Sequence, residues 1–271
     1  IKDNEYLGSN SEGGGIKVDG AGLDHNIISG NTSNSSGTAS GVFLYSNGGY
    51  GFTDNIIFNN TGTYSVRFND HSGNGSFTDN IIADGRVYFS NVDLRSSITN
   101  NVFGGGIEGT IEFEENNADF SKNAILNNGS GNGLRIYNGG HNLNQTVYFS
   151  KNLFSGNSSA YLEHSTGNNG QTNLSTTLNN MINNDGFYIK AGSGENSSVE
   201  NNWWGTTTES EIQELIYDWN DDASLGFLDY DPYLTTPSTL APVSPPKNVV
   251  KQSTTGGVAL SWAPNPAADV T

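Results

Sequence analysis

The chain is 271 residues long, with 11 basic against 28 acidic side chains, a formal net charge of −17 and no cysteine. This balance argues against nucleic acid and anionic membrane surfaces as partners, since phosphate binding needs clustered Lys or Arg, and the missing thiols exclude disulfides, thiolate zinc sites and cysteine nucleophiles. No apolar run reaches the ~18 residues that would insert into a bilayer, while 11% aromatics in a chain with only 14% charged residues is too rich in rings for a disordered polymer.

Ile16 and Val18 alternate with polar neighbours and read as a strand of an incomplete first winding. From there an asparagine followed by two mostly apolar residues recurs eight times, at Asn26, Asn55, Asn80, Asn101, Asn123, Asn152, Asn180 and Asn202. The gaps are 29, 25, 21, 22, 29, 28 and 22 residues. A mean period of about 25 lies in the range of stacked-repeat architectures, in which no repeat can bury its apolar face alone.

Alignment on the anchors exposes two apolar columns. Three residues before the anchor stand Leu23, Phe52, Phe77, Ile98, Phe120, Phe149, Thr177 and Val199. Two residues after it stand Ile28, Ile57, Ile82, Phe103, Ile125, Phe154, Ile182 and Trp204. Both columns are expected to face inward, with the asparagine at a corner where it tolerates left-handed backbone and can bond its stacked neighbours as an amide ladder. Two residues before the anchor the column reads Asp24, Thr53, Thr78, Thr99, Ser121, Ser150, Leu178 and Glu200. Three consecutive threonines in one column are too few for the flat hydroxyl lattice of an ice-binding face.

Later in each period comes a short alternating run, such as Gly41-Val42-Phe43-Leu44-Tyr45, Tyr64 to Phe68, Arg86 to Phe89, Thr110 to Glu114, Gly133 to Tyr137, Ala160 to Glu163 and Gly186 to Lys190. Period-two alternation of this length predicts strands with one face buried. The pattern predicts an all-β chain. These runs, with the Asn-Xaa-Ile/Phe-Xaa-Xaa-Asn phrases Asn55 to Asn60 and Asn152 to Asn157, resemble right-handed parallel β-helix proteins of the pectate-lyase-like superfold. The resemblance spans residues 10–205 and implies about eight coils. It implies no single activity, because the superfold carries lyases, hydrolases, adhesins and inert stalks.

Thr208-Glu209-Ser210-Glu211 has the form of a capping box, and Ile212, Leu215, Ile216 and Trp219 follow at helical spacing. A short amphipathic helix over 209–219 is therefore expected to close the solenoid, with Trp203 and Trp204 filling its last coil. The predicted organisation is a capped β-helix over 1–234, a Pro/Ser/Thr-rich linker over 235–246, and a segment over 247–271. That last segment resembles the first two strands of a fibronectin type III domain, which needs about 100 residues in full. A longer exported chain at both termini is the corresponding expectation, placing the protein outside the cell or on its surface.

The outward residues of the second strand run predict an exposed strip. One column reads Phe43, Arg67, Tyr88, Glu112, Arg135, Tyr161 and Tyr188, and its neighbour reads Tyr45, Asn69, Ser90, Glu114, Tyr137, Glu163 and Lys190. Rings that stack on sugar faces, interspersed with Arg and Glu, suit polysaccharide, so Tyr45, Arg67, Tyr88, Arg135, Tyr137, Tyr161, Glu163 and Tyr188 are the candidate binding residues. The same side chains can instead pair along the sheet and stabilise it. Were the strip catalytic, Arg135, Glu112, Glu114 and Lys190 would carry the chemistry of a polysaccharide lyase or glycoside hydrolase on an acidic glycan. No cluster among them is dense, and the sequence favours a non-catalytic spacer or adhesin module of a bacterial surface protein. Asp221, Asp222, Asp229 and Asp231 could offer oxygens to Ca²⁺, though not at the spacing of a calcium loop. The four histidines lie in four different coils, without an i, i+4 pair, and predict no zinc site.

Overall fold

The computed structural model describes residues 1, 5–6, 14–34, 39–46, 51–70, 75–83, 85–90, 96–104, 111–114, 118–126, 134–137, 145–157, 162–165, 172–192 and 196–263. Each winding contributes one strand to each of three parallel sheets, making a β-solenoid. Sheet I has nine strands, from Leu23–Asp24 to Leu228–Asp229, and sheet II has seven, from Ile27–Ser29 to Asn180–Ile182. Sheet III has nine, from Ile16–Asp19 to Ile216–Tyr217. Seven windings are complete, against about eight expected, because the anchor at Asn202 adds only a bridge between Asn180 and Trp203 to sheet II. At rungs ~4.8 Å apart, nine strands make a rod about 40 Å long.

The two predicted columns form one shaft. Phe52, Phe77, Ile98, Phe120 and Phe149 lie opposite one another in sheet I and are no more than 1% exposed. Phe52 and Phe77 stack at 4.7 Å between ring centres, and Phe103 of sheet II meets Phe120 at 5.9 Å. Val42, Val66 and Val87, with Leu44, Phe68 and Phe89, close the third side.

The asparagines run down one corner as a continuous hydrogen-bonded ladder. The Oδ1 of Asn123 accepts from the backbone N–H and the Nδ2 of Asn101, at 2.9 and 3.0 Å. Asn123 Nδ2 in turn donates to Ile98 O at 2.8 Å and to Asn152 Oδ1 at 3.2 Å. The same pattern links Asn26 to Asn55, Asn55 to Asn80, Asn80 to Asn101, Asn152 to Asn179 and Asn179 to Asn202. A second, interrupted ladder five residues on joins Asn31 to Asn60 and Asn157 to Asn184. The left-handed corner residue is not the asparagine itself but the one before it. His25, Asp54, Asp79, Asn100, Lys122, Lys151, Leu178 and Asn201 all have φ between 54° and 59°.

One anchor differs from the sequence reading. The seventh rung of the ladder is Asn179, not Asn180, so Thr176 and Met181 face the shaft instead of Thr177 and Ile182. A one-residue slip inverts every side chain of a strand. Anchoring on Asn180 would turn Ser175 and Thr177 inward and Leu174 outward, whereas the observed register buries Leu174 and Met181. Thr176 is accommodated because its hydroxyl accepts from Asn202 Nδ2 at 2.8 Å. The cost is a leucine, Leu178, in left-handed backbone, which bulky residues rarely adopt. The hydroxyl column accordingly ends in Thr177 rather than Leu178, pairing with Ser150.

The capping helix is shorter than expected, Glu209–Glu214 rather than 209–219. Ile216–Tyr217 leaves it to pair with Ile189–Lys190 as the last strand of sheet III, so sheet closure overrides helical spacing, and Trp219 is 55% exposed. Thr208 occupies the N-cap without a side-chain bond, and Glu211 meets the hydroxyl of Thr206 instead. Trp204 fills the end of the shaft, whereas Trp203 points out of it into a small second cluster with Leu153 and Ile182. The stretch expected as a linker is tied back, since Asn180 and Ser238 exchange two hydrogen bonds, at 3.0 and 2.8 Å. Beyond it, Lys247–Thr254 and Gly257–Ala263 form an antiparallel hairpin. No helix among the described residues is long and apolar enough to cross a membrane.

Candidate functional site

The expected strip is the outward side of sheet III, and its register is set by the strand pairing. Val66, Val87, Ile111, Leu134, Leu162, Ile189 and Ile216 pair in sequence, each strand contributing one. The outward column beside them therefore reads Lys17, Phe43, Arg67, Tyr88, Glu112, Arg135, Glu163, Lys190 and Tyr217. Glu163 and Lys190 occupy the rungs assigned to Tyr161 and Tyr188, a slip of two residues that leaves the alternation unchanged and is set by the pairing of Arg135 with Glu163 and of Glu163 with Lys190. The second column reads Asp19, Tyr45, Asn69, Ser90, Glu114, Tyr137 and Ser165.

Tyr188 is no part of the strip. It packs against the core, and its hydroxyl accepts the Asn184 N–H at 3.3 Å. Burial raises its phenol pKa above the ordinary value. Tyr161 lies outside the described residues, as do the side chains of Glu112, Glu114, Arg135, Tyr137 and Glu163, whose backbone positions are set by the strand register.

Where side chains are described, the strip pairs with itself. The Arg67 guanidinium carbon sits 5.4 Å from the Phe43 ring centre and 5.6 Å from that of Tyr88, a cation between two rings. Phe43 is consequently buried to 7% exposure although it is on the outer side of the sheet. Tyr88 is further stacked on Tyr64 at 5.0 Å, and Tyr45 leans on Phe43 at 6.4 Å. At the far end Lys190 Nζ lies 5.9 Å from the Tyr217 ring, which also meets Phe187 at 4.8 Å. Between these ends the register sets Arg135 between Glu112 and Glu163. In register, each neighbouring pair of the column except Tyr88 and Glu112 sets a cation beside a ring or beside a carboxylate.

The acidic C-terminal segment does not converge on a cation. Asp218 is buried, and its two oxygens accept from Asn220 N–H at 2.9 Å and Leu228 N–H at 3.0 Å. Asp221 accepts from Asp218 N–H, Asp222 from the Ser224 N–H and hydroxyl, and Asp229 from Asp231 N–H. Each carboxylate shapes a turn. Among the described residues, the Ca²⁺ candidates Asp221, Asp222, Asp229 and Asp231 form no group of three carboxylates within 4.8 Å of one another. A cleft of about 540 Å³ lies at this end, lined by Gln213, Glu214, Ile216, Asp218, Asp221 and Tyr230, next to the last rung of sheet III.

Among the described residues, the one group of three such side chains within 4.8 Å is Asp24, His25 and Asp54. Sequence spacing missed it because Asp54 belongs to the next winding, although His25 and Asp54 share the position before the anchor. His25 Nδ1 lies 2.6 Å from Asp24 Oδ1, and Nε2 lies 3.6 Å from Asp54 Oδ2. The hydrogen bond to Asp24, and then its charge, raise the imidazole pKa, while Thr53 and His25 lower that of Asp24. All three are exposed, and with the imidazole protonated the group forms an ion pair at the first corner.

Comparison with known protein families, with curated proteins and with solved structures finds no match.

Proposed function

We propose that this chain is a non-catalytic module of an exported bacterial surface or secreted protein, serving as a rigid spacer or adhesin rather than as an enzyme. The observation that carries the reading is the self-pairing of the strip. The Arg67 guanidinium is held between two rings and Phe43 has lost its solvent exposure, so the groups best suited to stack on or fork around a sugar are engaged within the sheet. Weak polysaccharide contact through the outer rims of Tyr45 and Tyr88 is compatible with this arrangement. Tight recognition would require Arg67 to leave its rings.

The corner ladder and the aromatic shaft supply what a spacer needs, because stiffness in a solenoid is a sum of neighbour-to-neighbour interfaces. The test pairs a glycan array with an assay for unsaturated and reducing-end products on uronate polymers. No turnover, with binding absent or weak, is expected. Turnover abolished by Arg135→Ala or Glu112→Ala would establish the lyase or hydrolase reading in its place.

A further inference from the structure

The outward side of sheet II carries an apolar stripe in register: Ile27, Ile56, Ile81, Val102, Ala124 and Leu153. Its C-terminal part is covered. Leu153 is fully buried and Ala124 is 7% exposed, and with Ile182 and Trp203 they form a cluster against which Leu234 packs. The chain after Leu234 is held there by the Leu234 N–H to Asn202 carbonyl bond at 3.0 Å and by the paired bonds between Ser238 and Asn180. Ala241 and Ser244 further along this strap are also buried.

Toward the N-terminal windings the cover stops. Ile81, Ile56 and Ile27 are 43%, 39% and 58% exposed, a contiguous ladder of three isoleucines on three adjacent rungs. The chain that emerges from the strap is the hairpin of Lys247–Thr254 and Gly257–Ala263. Val258, Leu260 and Trp262 alternate along its second strand, so they share one face, and they are 54%, 57% and 61% exposed. A two-stranded hairpin is marginal in water until an apolar face is covered. The two bare surfaces are within reach. Ser238 to Pro246 is eight residues, at most ~26 Å when extended, and the four rungs from Asn180 to Ile81 span ~19 Å.

We propose that the hairpin docks on the isoleucine ladder. It lays Trp262 over Ile81, Leu260 over Ile56 and Val258 over Ile27 as a continuation of the strap, because Lys247, where the linker enters, pairs beside Trp262 at Ala263. The chain then leaves the rod on its flank, beside the N-terminal windings, instead of projecting from its C-terminal cap. The three isoleucines, which contribute nothing to the shaft, acquire a role as a seat for this chain's own C-terminal segment.

The absence of cysteine makes the test direct. Ile56→Cys combined with Leu260→Cys is expected to oxidise to an intrachain disulfide at micromolar protein, because docking brings the thiols to an effective concentration on the order of millimolar. The pairing of Ile56→Cys with Gln252→Cys, on the opposite hairpin face, is expected to cross-link at least about tenfold more slowly. A second readout is Trp262 emission, isolated by comparing Trp219→Phe with and without Trp262→Phe. It is expected to be blue-shifted and to move to that of hydrated indole in Ile56→Asp/Ile81→Asp, with the far-UV spectrum unchanged. Three results would overturn the proposal. One is interchain disulfide only, which assigns the ladder to a second copy. Another is Trp262 emission fully hydrated in the parent chain. The last is a blue shift indifferent to the isoleucine substitutions, which places the hairpin in a sandwich of its own.

Discussion

Replacing Asn123 by alanine isolates the amide ladder from the rest of the fold. Asn123 is fully buried, and its Oδ1 accepts from both the backbone N–H and the Nδ2 of Asn101. Asn101 Nδ2 retains Phe77 O and Thr99 O, but its backbone N–H has no substitute in the shaft corner, and Ile98 O loses a donor. Each buried polar group left without a partner costs about 1–3 kcal/mol, so Asn123→Ala should destabilise the solenoid by about 2–4 kcal/mol. Asn26, half-exposed at the first rung and donating only, supplies the control: Asn26→Ala should cost less than about 1 kcal/mol. Solenoids do not always unfold in one step. The assay therefore combines urea unfolding with native-state hydrogen exchange, where the Asn101 N–H should lose roughly 30-fold to 1000-fold in protection. Asn123→Asp adds a sign test. A carboxylate there accepts from Asn101 but faces Ile98 O and Asn152 Oδ1 without a donor, so its folded pKa is raised above the unfolded value. The folded state then binds the extra proton, and the variant should gain stability relative to the parent as pH falls. Equal and small losses for Asn123→Ala and Asn26→Ala, or an Asn123→Asp variant indifferent to pH, would show that the ladder marks the corner without holding it.

Arg67→Ala should cost about 1–2 kcal/mol in urea unfolding, from two cation–ring contacts partly shielded from water; unchanged stability with lost glycan binding would instead make Arg67 a ligand contact. Gly41→Ala should destabilise by about 1–3 kcal/mol, because a Cβ there would lie 2.5 Å from the Ser65 carbonyl oxygen of the next winding, a backbone atom that cannot step aside. His25 should titrate above the ordinary histidine value of about 6.5, and Asp24→Asn should bring it back down, as followed by proton NMR of the imidazole. The sign is that of a raised folded pKa: the ion-pair contribution is fully present below the unfolded value and is lost as pH rises through the folded one.

Much of the solenoid was legible because a repeated core writes itself into the sequence. Phe52, Phe77, Ile98, Phe120 and Phe149 mark the shaft without any knowledge of coordinates, since each winding must place an apolar residue over the last. Local ambiguity defeated the same reading at Asn179-Asn180, where either amide could serve and only the burial of Leu174 and Met181 against exposure of Ser175 chooses. It failed again on the strip. There the rings of Tyr161 and Tyr188 suit the strip as well as Glu163 and Lys190 do, since a two-residue slip leaves the alternation unchanged, and only the pairing of Arg135 with Glu163 and of Glu163 with Lys190 chooses between them. The helix was overestimated for a related reason: Ile216 suits a helix face and a closing strand equally, and the unsatisfied edge of sheet III decides between them.

By itself the sequence determined the class, the period, the identity of the stacked columns and the net negative charge, because these depend only on residue type and spacing. Tertiary structure decided the register within a rung, the engagement of Arg67 between Phe43 and Tyr88, the meeting of His25 with Asp54, and the return of residues 234–244 onto sheet II. Each of these joins residues from different windings or from opposite ends of the chain. Such contacts depend on loop lengths and on the summed burial of the whole stack, and no local pattern encodes either.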